Sequence, residues 1–141
     1  MTRRVLILAL CATLIGGIAP AAYAAGAKLA LQQTDTKPGS GRPAISGNTV
    51  TIHYTGWLYS PKSSKQRGAR FDSSLDAAPY IFKLGGGSVI QGWEQGIIGM
   101  KVGGKRTLIV PAELGFGKAG LGPVPSGANL IFDIELMDVK N

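Results

Sequence analysis

The stretch Val89-Ile90-Gln91-Gly92-Trp93-Glu94-Gln95-Gly96-Ile97 decides how this chain folds. Ile90, Trp93 and Ile97 recur at three- and four-residue steps, which places them on one side of a short amphipathic helix, while Gln91, Glu94 and Gln95 fall on the other. Trp93 then points inward, where an indole beneath an open sheet makes a flat apolar floor. Upstream, Val50, Ile52 and Tyr54 alternate with Thr49, Thr51, His53 and Thr55; downstream, Leu130, Phe132, Ile134 and Leu136 alternate with Asp133 and Glu135. Period-2 alternation of this kind belongs to an antiparallel sheet with one covered face, and the segment around Trp93 is the apolar cover. The class expected is α+β, a curved antiparallel β-sheet wrapping one short α-helix.

Further strands are expected at Lys28 to Thr34, Tyr80 to Leu84 and Lys105 to Val110, separated by turn residues at Lys37-Pro38-Gly39-Ser40-Gly41 and Gly85-Gly86-Gly87. Phe116 to Ala128, rich in Gly and Pro, reads as a functional loop. No internal repeat is present.

The N-terminus reads as a targeting segment. Arg3 and Arg4 precede an apolar run from Val5 to Ala19, and Ala22-Tyr23-Ala24 is a small-x-small cleavage site, so residues 1–24 are expected to be a signal peptide cut after Ala24. An uncleaved membrane anchor is the alternative. Cys11 does not suit lipid attachment, because Leu10 precedes it where a small residue is needed. Residues 25–141 then form a single domain, periplasmic or secreted, with no stable membrane insertion. That domain has no cysteine, so packing and strand pairing must stabilise it without disulfides, and His53 alone offers no zinc site. The charge of +7 becomes +5 without Arg3 and Arg4. Lys62, Lys65, Arg67 and Arg70 concentrate it in one polar loop that can attract anionic lipids or acidic clients, or simply be solvated. Nucleic acid is not expected, because no aromatic residues interleave with these charges.

Four motifs, His53-Tyr54-Thr55-Gly56, Phe71-Asp72-Ser73-Ser74, Val89-Ile90-Gln91-Gly92-Trp93 and Leu130-Ile131-Phe132-Asp133-Ile134-Glu135-Leu136, together resemble the FKBP-type peptidyl-prolyl cis-trans isomerases, in order and spacing, from about Lys28 to the C-terminus. The resemblance implies one aromatic pocket that accelerates X-Pro rotation, a folding role for exported proteins, no cofactor, and a monomer that takes proline-containing polypeptides and the family's macrolide inhibitors. It assigns catalytic roles to Tyr54, Asp72 and Phe116. It assigns substrate binding to Phe71, Tyr80, Val89, Ile90, Trp93, Val124 and Phe132, with Trp93 as floor, Tyr54, Phe71 and Phe132 as walls and the Ile90 backbone N–H as donor to a substrate carbonyl. Asp72 accepts hydrogen bonds at the rim, or caps the Ser73-Ser74 turn. Tyr80 stands where the family usually has phenylalanine, and Phe116 where a tyrosine supplies a hydroxyl. The last loop, Gly120-Leu121-Gly122-Pro123-Val124-Pro125, is a residue shorter than the common form, so Val124 enters the pocket by alignment alone. Ser60 to Arg70 is longer than the family requires, which predicts an exposed insertion or bulged loop.

Other classes are poorly served. A hydrolase would have to use His53 as base, with no nucleophile elbow nearby. Gly85-Gly86-Gly87-Ser88 lacks the Gly-Lys-Ser/Thr of a phosphate loop. The serious rival is a chaperone or peptide-binding module that uses the same pocket with little turnover.

Overall fold

A computed structural model describes residues 29–141; the expected signal peptide, its cleavage point, Cys11 and Lys28 lie outside the described residues. Six strands form one antiparallel sheet: β1 (Gln32–Lys37), β2 (Thr49–Tyr59), β3 (Arg67–Ser73), β4 (Tyr80–Lys83), β5 (Lys105–Val110) and β6 (Leu130–Lys140). Among the described residues one short α-helix, α1 (Gln91–Gly96), covers one face. The strand order is β1-β5-β6-β2-β3, with β4 also paired to β2. This is the α+β architecture expected.

The pairing of β2 positions the site. One edge of β2 pairs with β6 along its whole length, while the other edge is shared: Thr49 to Ile52 pair with β4 and Thr55 to Tyr59 with β3. Tyr54 sits where the partner changes. There Ser74 takes over the ladder, its N–H donating to the Tyr54 carbonyl at 2.9 Å and its Oγ accepting from the Tyr54 N–H at 2.8 Å.

The inward residues of β2, β5 and β6 form the core with α1; Ile52, Leu108, Leu130, Ile134 and Leu136 are fully buried there beside Ile97. Gly92 and Gly96 allow the helix to lie directly on β5. A Cβ at Gly92 would stand 2.5 Å from Val110 Cγ1, and one at Gly96 2.7 Å from Leu108 Cδ1. The helix face differs from the expectation in one respect: Glu94, assigned to the wet side, is buried. One of its carboxylate oxygens and Trp93 Nε1 are buried without a hydrogen-bond partner among the described residues. On a two-turn helix flush against a sheet, the flanking positions are covered along with the central ones, so the wet face narrows to Gln91 and Gln95.

Two strand boundaries also move. β1 begins at Gln32 rather than Lys28 and runs through Gln-Gln-Thr-Asp-Thr-Lys, exposed over its length. Leu31 packs against the core from just outside the ladder. β1 is held by its ladder with β5, and one side-chain pair reinforces it. Arg106, buried on β5, donates Nε to Asp35 Oδ1 at 2.6 Å and caps the end of α1 through the Gly96 and Ile98 carbonyls at 2.7 and 3.1 Å. The second correction concerns Ser60 to Arg70: only residues 60–66 are loop, and β3 starts at Arg67. Register slips between Gly56 and Trp57 and between Trp57 and Tyr59 absorb the extra residues as bulges.

The Arg106 guanidinium beside Asp35, chiefly through their hydrogen bond, holds that carboxyl below its ordinary value of 3.8. A depressed carboxyl contributes stability above its unfolded pKa and loses it as pH falls through the folded one. Asp35→Asn is therefore expected to lower the melting temperature at pH 7, with the gap between variant and wild type closing below about pH 4. Thermal scans across that range check this.

Among the described residues no helix is long and apolar enough to cross a membrane, and no group of three or more His, Cys, Asp or Glu is placed to hold a metal.

Candidate functional site

Between the start of β4, the start of α1 and the 116–128 loop lies a cavity of about 440 Å³. The motifs bring Tyr54 from β2, Phe71 and Asp72 from β3, Tyr80 from β4, Val89 and Ile90 from the turn before α1, Trp93 from α1, Phe116 from the loop and Phe132 from β6 to its wall. Two residues read from sequence as turn rather than pocket, Gly87 and Ser88, complete the rim. They belong to the Gly85-Gly86-Gly87-Ser88 turn, which carries the chain from β4 to the helix. Val124 is not there. It is buried in the core, and the Leu121–Val124 bridge folds that part of the loop back on itself. The pocket assignment of Val124 is therefore withdrawn; alignment across a shortened loop has no register to fix which residue turns inward.

Trp93, only 6% exposed, is the hub of the wall. Its ring meets Tyr54 and Phe132 edge-on at centroid distances of 4.8 and 5.3 Å and Tyr80 at 6.1 Å. Phe71 stands edge-on to Phe132 at 5.8 Å and to Phe116 at 6.5 Å, which extends the aromatic lining to the loop. Edge-to-face pairs of this kind hold rings at fixed angles, so the cavity is preformed. Space for the two phenyl rings comes from Gly56: a Cβ there would lie 2.7 Å from Phe132 Cε1 and 2.8 Å from Phe71 Cζ.

The polar groups are few. Tyr54 Oη donates to Asp72 Oδ2 at 2.6 Å, and the other Asp72 oxygen accepts the Ser73 N–H at 2.9 Å. The two readings of Asp72 are thus compatible, because one oxygen caps the turn while the second faces the cavity rim. Burial, reinforced by the Asp72 carboxylate, pushes the Tyr54 hydroxyl well above the ordinary tyrosine range, so it stays a donor at working pH. Ile90 has extended backbone (φ −63°, ψ 152°) and caps α1 with its carbonyl, while its N–H takes part in none of the turn and loop hydrogen bonds of the described residues. Asp72 is the sole acidic or basic side chain in the lining.

A family model for the FKBP-type peptidyl-prolyl cis-trans isomerases matches residues 40–137. The chain belongs to that family. It is 48% identical over 107 residues to an FK506-binding protein of Neisseria meningitidis serogroup A, a match covering 74% of this chain and 92% of that one. It is also 48% identical over 101 residues to FK506-binding protein 2B of Rhizopus delemar, covering 70% of this chain but 46% of its relative. Among solved structures it resembles FkpA from Escherichia coli, with a TM-score of 0.67 and 38% identity over 78% of this chain and 48% of that one. The chain thus spans about half the length of the Rhizopus and Escherichia proteins and nearly all of the Neisseria one.

For this FKBP-type isomerase the hydrolytic alternative has no geometric support. His53 Nδ1 lies 2.9 Å from Ser74 Oγ, but Ser74 is 5% exposed and its hydroxyl is tied to the Tyr54 backbone, outside the aromatic cavity.

Proposed function

We propose that the aromatic cavity is where this FKBP-type isomerase turns the X-Pro bond, with the proline ring seated on Trp93 between Tyr54, Phe71 and Phe132. The observation that carries this reading is a preformed aromatic cavity whose one ionised side chain, Asp72, is already engaged by Tyr54. Rotation breaks amide resonance against a barrier of about 20 kcal/mol and requires no bond to be cut. The twisted amide is less dipolar than the planar one, so an apolar, water-poor surround disfavours it less than the ground state. The Ile90 N–H is free to orient a substrate carbonyl, and the Tyr54–Asp72 pair offers polar contact at the rim.

The substrates are proline-containing unfolded or partly folded polypeptides, and the setting is the folding of exported proteins, in the periplasm or outside the cell, by a monomer. The names of the relatives support a second ligand class, macrolides of the FK506 type, in the same cavity. A protease-coupled assay on short X-Pro peptides tests the enzyme reading: acceleration that favours apolar residues before proline supports it. Rates matching the uncatalysed reaction across the panel would leave the chaperone reading in its place. Phe116 keeps that reading in view, since it lacks the hydroxyl of the family's tyrosine.

Two substitutions separate the parts of the site. Asp72→Ala is expected to lower kcat/KM at least severalfold with the fold intact by circular dichroism; unchanged activity would reduce Asp72 to a turn cap. Phe116→Tyr adds a hydroxyl to a ring that already lines the cavity. One ordinary hydrogen bond is worth about 0.5–1.5 kcal/mol, so macrolide binding is expected to tighten by up to about tenfold, read by calorimetric titration.

A further inference from the structure

The outer face of the sheet, opposite α1, carries the odd-numbered residues of β2 and β5 and those of β6 from Ile131 to Glu135, before the register of β6 slips. A cavity of about 470 Å³ between Trp57, Arg70, Lys105 and Glu135 continues into one of about 420 Å³ beside Lys65, the two sharing Thr36, Arg67 and Thr107. The floor of the second includes Ile109 and Ile131, which are buried yet lie outside the main core cluster. Where the cavities meet, Arg67 is fixed on every side. Its guanidinium stacks 4.8 Å over the Trp57 ring, pairs with Asp133 and donates to the Lys65 carbonyl at 2.8 Å, while Thr107 Oγ1 donates to the same Asp133 oxygen at 2.8 Å.

Arg67 is thereby neutralised by Asp133, whose Oδ1 takes both hydrogen bonds. What remains is Lys65, Arg70 and Lys105, none of them in an ion pair among the described residues, against the one carboxylate of Glu135. Lys65 and Gln66 both hold left-handed backbone, φ 53° and 64°, a conformation costly for non-glycine residues. The outer face is therefore an elongated groove with a cationic surplus, floored by Ile109 and Ile131 at its Lys65 end.

We propose that this groove docks an extended, acidic segment of a partner polypeptide, its carboxylates against Lys65, Arg70 and Lys105 and its apolar side chains over Trp57 and the isoleucine floor. Charge complementarity selects the occupant. A nucleic acid needs several open aromatic faces, whereas Trp57 stands alone under Arg67. Because the groove lies on the opposite face of the sheet from the aromatic cavity, one polypeptide held there would present its prolines to the cavity at raised effective concentration. Docking itself does not depend on where proline is turned.

The two tryptophans provide separate reporters, Trp57 outside and Trp93 inside. A short proline-free peptide of alternating glutamate and leucine, titrated into the ¹⁵N-labelled chain, is expected to shift the Trp57 indole resonance and leave that of Trp93 in place. Arg70→Glu with Lys105→Glu should weaken binding about tenfold or more, as should glutamine in place of glutamate in the peptide. The same double variant should isomerise a short neutral proline peptide at the wild-type rate. A shift confined to Trp93, equal affinity for the double variant or the glutamine peptide, or tighter binding of oligothymidylate or phosphatidylglycerol vesicles at Trp57 would overturn the proposal. Loss of isomerase activity in the wild type would instead count against the cavity reading alone.

Discussion

Trp93→Ala is expected to lower stability by about 3–5 kcal/mol, the cost of emptying a large aromatic site in a packed interior. The ring is 6% exposed and touches Tyr54, Tyr80, Phe82 and Phe132, so its removal unsupports the floor and three walls together. For a domain of this size the loss corresponds to a melting temperature lower by roughly 10–20 °C. Calorimetry checks this, and kcat/KM should fall with it. Trp93→Phe separates the two effects: it keeps most of the packing, and its residual activity reports how much the broad indole contributes beyond filling space.

The second large effect is expected at Gly56, which touches no substrate in this account. In Gly56→Ala the new methyl would stand within 3 Å of Phe132 Cε1 and Phe71 Cζ. Phe132 cannot retreat without meeting Trp93, 5.3 Å away between centroids, so the rings must tilt into the cavity. Overpacking of this kind costs about 1–3 kcal/mol. Misplacing a positioned group by about 1 Å costs up to about a hundredfold in rate. Activity is therefore expected to fall about tenfold or more while the chain stays folded at 25 °C. Near-normal turnover would show that the rings are not held where productive binding needs them.

The fold and most of the cavity were legible because their signals are local or regularly periodic. Alternation in β2 and β6 marks the buried face, the spacing of Ile90, Trp93 and Ile97 marks the helix, and most of the aromatic residues lie within short motifs. Features set by distant partners were not legible. β1 is placed by its pairing with β5, where Asp35 meets Arg106 71 positions further along the chain. The true extent of β3 depends on two bulges that no hydrophobic pattern encodes. Glu94 is buried because glycines at 92 and 96 let the helix sit flush on β5, a consequence of contact rather than of periodicity. Val124, buried and outside the cavity lining, was not legible because a shortened loop has no ladder to hold its register.

Exchange spectroscopy on a short neutral proline peptide, with and without one equivalent of an FK506-type macrolide, tests the central claim most directly. If X-Pro rotation takes place on Trp93 in the aromatic cavity, the wild-type chain will speed cis-trans exchange, and the macrolide will abolish the acceleration while perturbing the Trp93 indole resonance. Acceleration that persists with Trp93 perturbed and the cavity filled would contradict the account.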